Sequence, residues 1–154
     1  MRSPTLRSHA AFTVLELLVA IAIAAIVAGG GVLVWPRFGA ALRLEVALHQ
    51  LAADLRQAQT LASATAGRVR LVFARGGTTY VRERADDAGT YRADETYRLP
   101  PGITVADVNS GGDLIFSARG QAENGTVVLG DGRGVRRSLR INQRGRITVL
   151  PVAR

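Results

Sequence analysis

Phe12-Thr13-Val14-Leu15-Glu16-Leu17-Leu18 opens the stretch that decides how this chain folds. Glu16 is the only charged residue between Phe12 and Trp35, and every residue from Leu17 to Trp35 is Leu, Val, Ala, Ile, Gly or Trp. A helix rises ~1.5 Å per residue, so residues 12–35 would extend over roughly 35 Å, enough to cross a bilayer with some tilt. The stretch therefore predicts a membrane-length helix with one carboxylate near its start.

A charge within such a helix needs a physical reason. A lone carboxylate inside a membrane helix costs about 2.5–3.5 kcal/mol on insertion scales, so Glu16 is predicted to be functional and to have a partner. The alternative is an acid at the membrane interface, where the cost is small. Residues 1–11 contain Arg2 and Arg7 and no acid, which is the polarity of an export signal whose positive end stays in the cytoplasm.

Composition limits the chemistry that this chain can perform. The 154 residues include no cysteine, so disulfides, a thiol nucleophile and a thiolate metal site are excluded. The only histidines are His9 and His49, and no nucleophile-elbow, phosphate-loop or metal-ligand spacing is present. The sequence predicts no catalytic residue, no metal and no cofactor. All 20 basic residues are arginine, and this bias makes the net charge of +8 weak evidence for a nucleic-acid partner.

Beyond Pro36 the apolar residues recur at helical spacing. Spacings of three and four place on one face Leu44, Leu48, Leu51, Leu55, Ala58 and Ala62. Gly67 is a candidate C-terminal cap. The sequence predicts one helix over residues 12–66, whose second half, residues 36–66, packs on a globular domain. His49 is expected to be exposed on that helix.

After Gly67 the period changes to two, which indicates strands. Strands are predicted at Val69–Phe73, Tyr80–Val81, Ile103–Val108, Asp113–Phe116, Thr126–Leu129, Ser138–Asn142 and Arg146–Leu150. Residues 85–98 are polar and are predicted to form a surface loop. One long helix followed by antiparallel strands predicts an α+β fold in which the helix covers one face of a sheet at 67–154.

The segment Ala11–Leu18 resembles the class III signal of type IV pilin-like proteins. The resemblance implies that residues 1–11 are a leader, that a prepilin peptidase cuts between Ala11 and Phe12, and that the new Phe12 amine is methylated. It further implies that Glu16 pairs with the Phe12 amine of a neighbouring subunit and that residues 12–35 later form a filament core. The family normally has glycine before the cut, whereas this chain has Ala11.

Three later segments resemble the GspH/FimT branch of this family, namely Leu51–Gln59 with Ala66–Val69, Ile115–Gly120 and Arg137–Ile147. The branch implies a minor pseudopilin of type II secretion, which assembles with other pseudopilins or pilins on an inner-membrane platform. It also implies a single-pass inner-membrane precursor with a cytoplasmic N-terminus and a periplasmic C-terminal domain, which joins the pseudopilus after assembly.

DNA binding is the main alternative, because the same branch contains type IV pilus subunits that bind DNA through C-terminal arginines. Here the candidates are Arg133, Arg136, Arg137, Arg140, Arg144 and Arg146. The DNA-binding members carry a Gly-Arg-x-Arg motif, whereas this chain has Gly145-Arg146-Ile147-Thr148, with threonine at the second arginine position. A solvated hairpin in an arginine-biased chain accounts for the same residues, so the sequence favours secretion and leaves DNA binding open.

Overall fold

The structure is a computed structural model that describes residues 13–150, with the side chains at 28–38 and 40 outside that description. The predicted leader and the Ala11–Phe12 cleavage point lie outside the described residues. The chain divides into two compact units, Met1–Phe38 and Gly39–Arg154, and each is described by itself. The elements, in order, are α1 (Val14–Ala64), β1 (Val69–Phe73), β2 (Thr79–Ala85), β3 (Tyr91–Arg98), β4 (Ile103–Val108), β5 (Asp113–Phe116), β6 (Gly125–Asp131), β7 (Arg136–Ile141) and β8 (Ile147–Leu150).

The apolar stripe of α1 forms one side of the core in the second unit. All six residues predicted from the helical spacing are at most 2% exposed, and Ala47 and Ala52 are buried beside them. Burying one leucine side chain stabilises a fold by about 1.5–3 kcal/mol, so the leucines of this stripe dominate the helix–sheet interface. His49, with its side chain 72% exposed, lies on the opposite face, as the spacing predicted.

Two four-stranded antiparallel sheets pack against that stripe. Sheet A has the order β3-β2-β1-β5, and sheet B has the order β4-β6-β7-β8. Alternate residues of the central strands point into one shared core, including Leu71 from sheet A and Leu139 from sheet B. The α+β prediction is confirmed, although a division into two sheets was not predicted. Every buried apolar residue among those described belongs to Gly39–Arg154, so this unit has a complete core of its own.

The prediction of a surface loop over residues 85–98 is wrong, because Tyr91–Arg98 forms strand β3 at the edge of sheet A. Both faces of β3 are largely exposed, so its side chains are polar throughout and show no apolar alternation. Hydrophobic periodicity detects a strand only when one of its faces is buried. Only Asp86–Thr90 forms a turn in this region, with Gly89 at a φ of +80°.

Polar and aromatic contacts hold β3 to the rest of sheet A. The Arg82 side chain, 9% exposed, pairs with Asp94 at 2.7 Å and with Glu95 at 2.8 Å. The Tyr97 ring stacks on Tyr80 with centroids 5.1 Å apart. Burial, together with a hydrogen bond donated to Glu95, raises the pKa of Tyr97 to about 12. These contacts replace the apolar packing that an edge strand lacks.

The Tyr80 hydroxyl connects this network to the helix by donating a hydrogen bond to the Asp54 carboxylate on α1. The pKa of the Tyr80 hydroxyl is raised, mainly by burial and secondly by that hydrogen bond. Burial also raises the pKa of Asp54, against the lowering effect of the bond from Tyr80. A Tyr–Asp pair at the helix–sheet boundary fixes the position of sheet A along α1 without a buried, unpaired charge.

The helix ends at Ala64, two residues before the predicted end at residue 66. The N–H of Gly67 donates to the carbonyl of Ala62 at 3.1 Å, and the N–H of Ala66 donates to Ser63 at 3.4 Å. This pair of bonds is the Schellman arrangement, in which the residue before the last donor takes the left-handed conformation. That residue is Ala66, with φ at +49°, and not Gly67.

Replacing Ala66 with glycine should therefore stabilise the domain. A left-handed alanine costs about 1–2 kcal/mol, which glycine avoids, while glycine adds some freedom to the unfolded chain. We expect Ala66→Gly to raise the free energy of unfolding of the Gly39–Arg154 unit by about 0.5–1 kcal/mol, measured by urea titration. The matched control is Ala53→Gly on the exposed face of the same helix, which should lower stability by about 1 kcal/mol. A loss of stability in Ala66→Gly would contradict this account of the cap.

Candidate assembly site and arginine cluster

Glu16 caps the first turn of its own helix. The Glu16 N–H donates to Thr13 Oγ1 at 3.2 Å, and the Thr13 N–H donates to Glu16 Oε2 at 3.4 Å. This reciprocal pair is a capping box, and its sequence signal is a threonine followed three residues later by glutamate. The reading of Glu16 as an isolated charge missed that signal. The carboxylate consequently lies beside residue 13, the second residue after the predicted cleavage point.

The helix that follows Glu16 is apolar on all sides. Side chains from Val14 to Val27 are exposed, and the large ones among them retain 51–76% of their accessible surface. A helix that is apolar all round is normally covered by lipid or by other helices. Among the residues that the structure describes, no helical stretch is both long and apolar enough to cross a membrane.

The structure separates Arg137 from the other five candidate arginines. Arg137 lies on the face of β7 that carries Leu139 and Ile141 into the core, and its side chain is 23% exposed. Its Nη2 lies 3.0 Å from Glu45 Oε2 on α1. Arg137 therefore ties sheet B to the helix and is not free to bind a partner.

The other five arginines are exposed. Arg136 and Arg140 lie on the outer face of β7, where Arg140 is opposite Thr126 on one side and Thr148 on the other. Arg133 lies in the β6–β7 turn, while Arg144 and Arg146 lie in the β7–β8 turn. Within residues 13–150, none of the five comes within 4 Å of a carboxylate oxygen. The outer face of this hairpin is thus strongly basic.

The same turn recurs at both ends of β7. Asp131 Oδ1 accepts hydrogen bonds from the N–H groups of residues 133 and 135, at 3.0 and 2.9 Å. Asn142 Oδ1 accepts from residues 144 and 146, at 3.1 and 2.9 Å. In each turn the fourth residue is a glycine with positive φ, Gly134 or Gly145. This is a type I turn with a glycine bulge, and it presents Arg133 and Arg144 at equivalent tips.

Gly145, the glycine of the partial Gly-Arg-x-Arg motif, has a structural role. Its φ is +72°, and a Cβ placed on it would overlap Gln59 Nε2 and the carbonyl oxygen of Gly120. Gln59 Nε2 already donates to that carbonyl at 2.7 Å. Helix α1, the β5–β6 loop and the β7–β8 turn therefore meet at a point where only glycine fits.

Replacing Gly145 with alanine should destabilise the domain strongly. The left-handed φ and the overlap with Gln59 together predict a loss of about 2–4 kcal/mol in the free energy of unfolding. Gly134 has a similar φ but no atom within 4 Å of an added Cβ, so Gly134→Ala isolates the backbone cost of about 1 kcal/mol. The measurement is urea unfolding of the Gly39–Arg154 unit. Equal losses in the two variants would show that the close contact is unimportant.

Two family models match this chain, one at its N-terminal apolar segment and one over its C-terminal domain. The family model for type II transport protein GspH matches residues 47–145. The prokaryotic N-terminal methylation motif matches residues 6–32, which include Glu16. No curated protein sequence matches the chain.

Solved structures share the fold at low sequence identity. The minor pseudopilin EpsH from the type 2 secretion system of Vibrio cholerae is 9% identical with a TM-score of 0.61, covering 70% of this chain and 96% of that chain. The type IV minor pilin FimU of Pseudomonas aeruginosa is 20% identical with a TM-score of 0.60, covering 74% and 92%. At these identities the likeness shows the pilin-like fold alone. The GspH model, by contrast, spans most of the 154 residues, and the protein belongs to the GspH family of type II transport proteins.

Proposed function

We propose that this protein is a minor pseudopilin of a type II secretion system, a structural subunit of the periplasmic pseudopilus that exports folded proteins. The observation that carries the proposal is the presence of two matches on one chain, the GspH model over 47–145 and the N-terminal methylation motif over 6–32. The resemblance to EpsH, a minor pseudopilin, supports it at the level of fold. The chain then acts through assembly and has no catalytic site of its own.

Processing prepares the subunit for assembly. In this proposal the precursor is held in the inner membrane by residues 12–35, with its leader in the cytoplasm and residues 67–154 in the periplasm. A prepilin peptidase cuts between Ala11 and Phe12 and methylates the Phe12 amine. An inner-membrane platform then draws the apolar helix out of the lipid into a filament of pilin-like subunits.

In this proposal Glu16 forms the ionic contact between neighbouring subunits. Its carboxylate neutralises the Phe12 amine of a neighbour, and the pair sets the axial stagger of the filament. The capping box supports this role because it holds the carboxylate beside residue 13, close to the terminus that cleavage creates. An ion pair surrounded by apolar helices is weakly screened, so its attraction is much larger than that of an exposed surface pair.

The second candidate function is DNA binding by a minor type IV pilin. Five exposed arginines without carboxylate partners in the described chain, and a fold shared with FimU, favour it. An arginine-lined hairpin face can bind phosphates without reading sequence. Against it stand Thr148 at the motif's second arginine position and Arg137 paired with Glu45. The match to a type II transport family makes secretion the better-supported function.

Two substitutions at Glu16 separate its two roles. Glutamine can still fill the last position of a capping box, whereas alanine cannot. We expect both Glu16→Ala and Glu16→Gln to insert into the membrane normally but to enter filaments at least tenfold less than wild type, measured by quantifying the subunit in sheared filaments. Mass spectrometry should find a methylated Phe12 at the start of the wild-type subunit. Normal incorporation of Glu16→Gln would show that capping suffices and would remove the proposed ion pair.

DNA binding is tested on the Gly39–Arg154 unit. The secretion proposal predicts little affinity for duplex DNA at physiological salt, whereas phosphate binding would give a log–log salt slope of about −0.9 for each phosphate contacted. The measurement is a fluorescence-anisotropy titration at several salt concentrations, with Arg140→Gln plus Arg144→Gln as the test variant and Arg75→Gln, outside the cluster, as the control. A steep slope that only the test variant loses would favour the second candidate.

A further inference from the structure

Each of the two sheets has two edges, and three of these four edges are closed or guarded. The β1–β2 turn closes the edge of β4, because the Gly76 N–H donates to the Val105 carbonyl at 2.7 Å and the Val105 N–H donates to Gly77 at 3.0 Å. The segment after β5 closes its edge through a bridge between Phe116 and Ala122. Charged side chains line β3, and a bulge interrupts its pairing with β2. Such devices prevent a sheet edge from pairing with other chains.

The edge formed by β8 has none of these devices within the described residues. Its four residues, Ile147 to Leu150, are uncharged, and three of them are β-branched. The Asn142 N–H donates to the Arg146 carbonyl at 3.2 Å and so sets the alternation of hydrogen bonds along the hairpin. In an antiparallel pair the bonded and non-bonded positions alternate, so Thr148 and Leu150 face β7. The backbone N–H and C=O groups of Ile147 and Val149 therefore point away from the sheet.

The side chains of β8 specify what could pair with it. Ile147 and Val149 are half-buried on the core side, opposite Ile141 and Leu139, and an added strand with apolar residues would cover their remaining surface. Thr148 lies on the outer face beside Arg140, and Arg146 precedes the strand on that same face. Neighbouring strands lie about 4.8 Å apart, so Arg140 on β7 and Arg146 just before β8 can both reach an added strand.

Charge decides between possible occupants of this edge. A second copy of the chain would bring its own Arg140 and Arg146 against the first pair, and like charges on adjacent strands are destabilising. A strand with carboxylates on its outer face would be attracted instead. Duplex DNA can contact the same arginines but cannot use the open backbone groups of Ile147 and Val149.

We propose that β8 is a docking edge to which another protein adds an extended segment, apolar on the core side and acidic on the outer side. This strand addition uses main-chain hydrogen bonds for affinity and alternate side chains for specificity. It goes beyond the proposed function, since it concerns the second unit alone and does not depend on which filament the chain enters.

The first experiment uses a short synthetic peptide of alternating glutamate and valine, with a lysine–valine peptide as the matched control. We expect the glutamate peptide alone to bind the Gly39–Arg154 unit and to slow amide hydrogen exchange at Ile147 and Val149 at least tenfold, read by NMR. Protection at β3 instead, or equal binding of both peptides, would overturn the proposal. Protection of these two amides by duplex DNA and not by peptide would also overturn it.

Two variants test the backbone and the charge separately. Val149→Pro removes an outward N–H while leaving the pairing with β7 intact, so peptide affinity should fall at least tenfold with little change in thermal midpoint. Arg146→Glu, on the exposed face, keeps the backbone and should reverse the preference, so that the lysine peptide binds better than the glutamate peptide. If Val149→Pro does not fold, the charge reversal decides. Unchanged preference in Arg146→Glu, or unchanged affinity in folded Val149→Pro, would refute the docking edge.

Discussion

The structure depends on the burial of one face of α1 against two sheets at once. The leucines and alanines of the helix share one buried core with the inner faces of both sheets. Polar contacts near the two ends of this face set its register. Glu45 holds Arg137 of β7 at one end, while Gln59 holds the carbonyl of Gly120 beside Gly145 at the other. The β5–β6 loop and the β7–β8 turn are therefore positioned by contacts with α1.

This packing also determines where positive charge is available. Arginines near the core are matched by acids: Arg82 by Asp94 and Glu95, and Arg70 by Glu83 and Asp113 at 2.7 and 3.2 Å. Pairs of this kind contribute more to specific placement of strands than to net stability. Of the six C-terminal candidate arginines, only Arg137 pairs with an acid within the described residues, so the charge of the other five remains on the outer face. Acids of the domain thus pair with arginines near the core, and the arginines on the outer face of the hairpin keep their positive charge.

Sequence reasoning succeeded for most elements with one buried face, although β2 was predicted only at Tyr80–Val81 and extends from Thr79 to Ala85. The stripe from Leu44 to Ala62 and the strands with alternating apolar residues were predicted correctly because burial imposes their period. Strand β3 was missed because neither of its faces is buried, and the cap was misplaced because Ala66 accepts a conformation usually left to glycine. The sequence analysis grouped Arg137 with Arg140, although a strand period of two places them on opposite faces of β7. The pairing of Arg137 with Glu45 could not be predicted, since it depends on how the helix packs on sheet B.

The capping box changes how Glu16 can act in the proposed filament. A carboxylate has two oxygens and about four acceptor positions, and the bond from the Thr13 N–H uses only one of them. At 3.4 Å that bond is long and exposed, so it contributes little energy compared with an ion pair in an apolar surrounding. Its effect is positional, because it fixes the side chain toward the start of the helix. The amine of a neighbour could then bind the other oxygen without breaking the cap, and assembly would add a contact without sacrificing the one that orders the helix terminus.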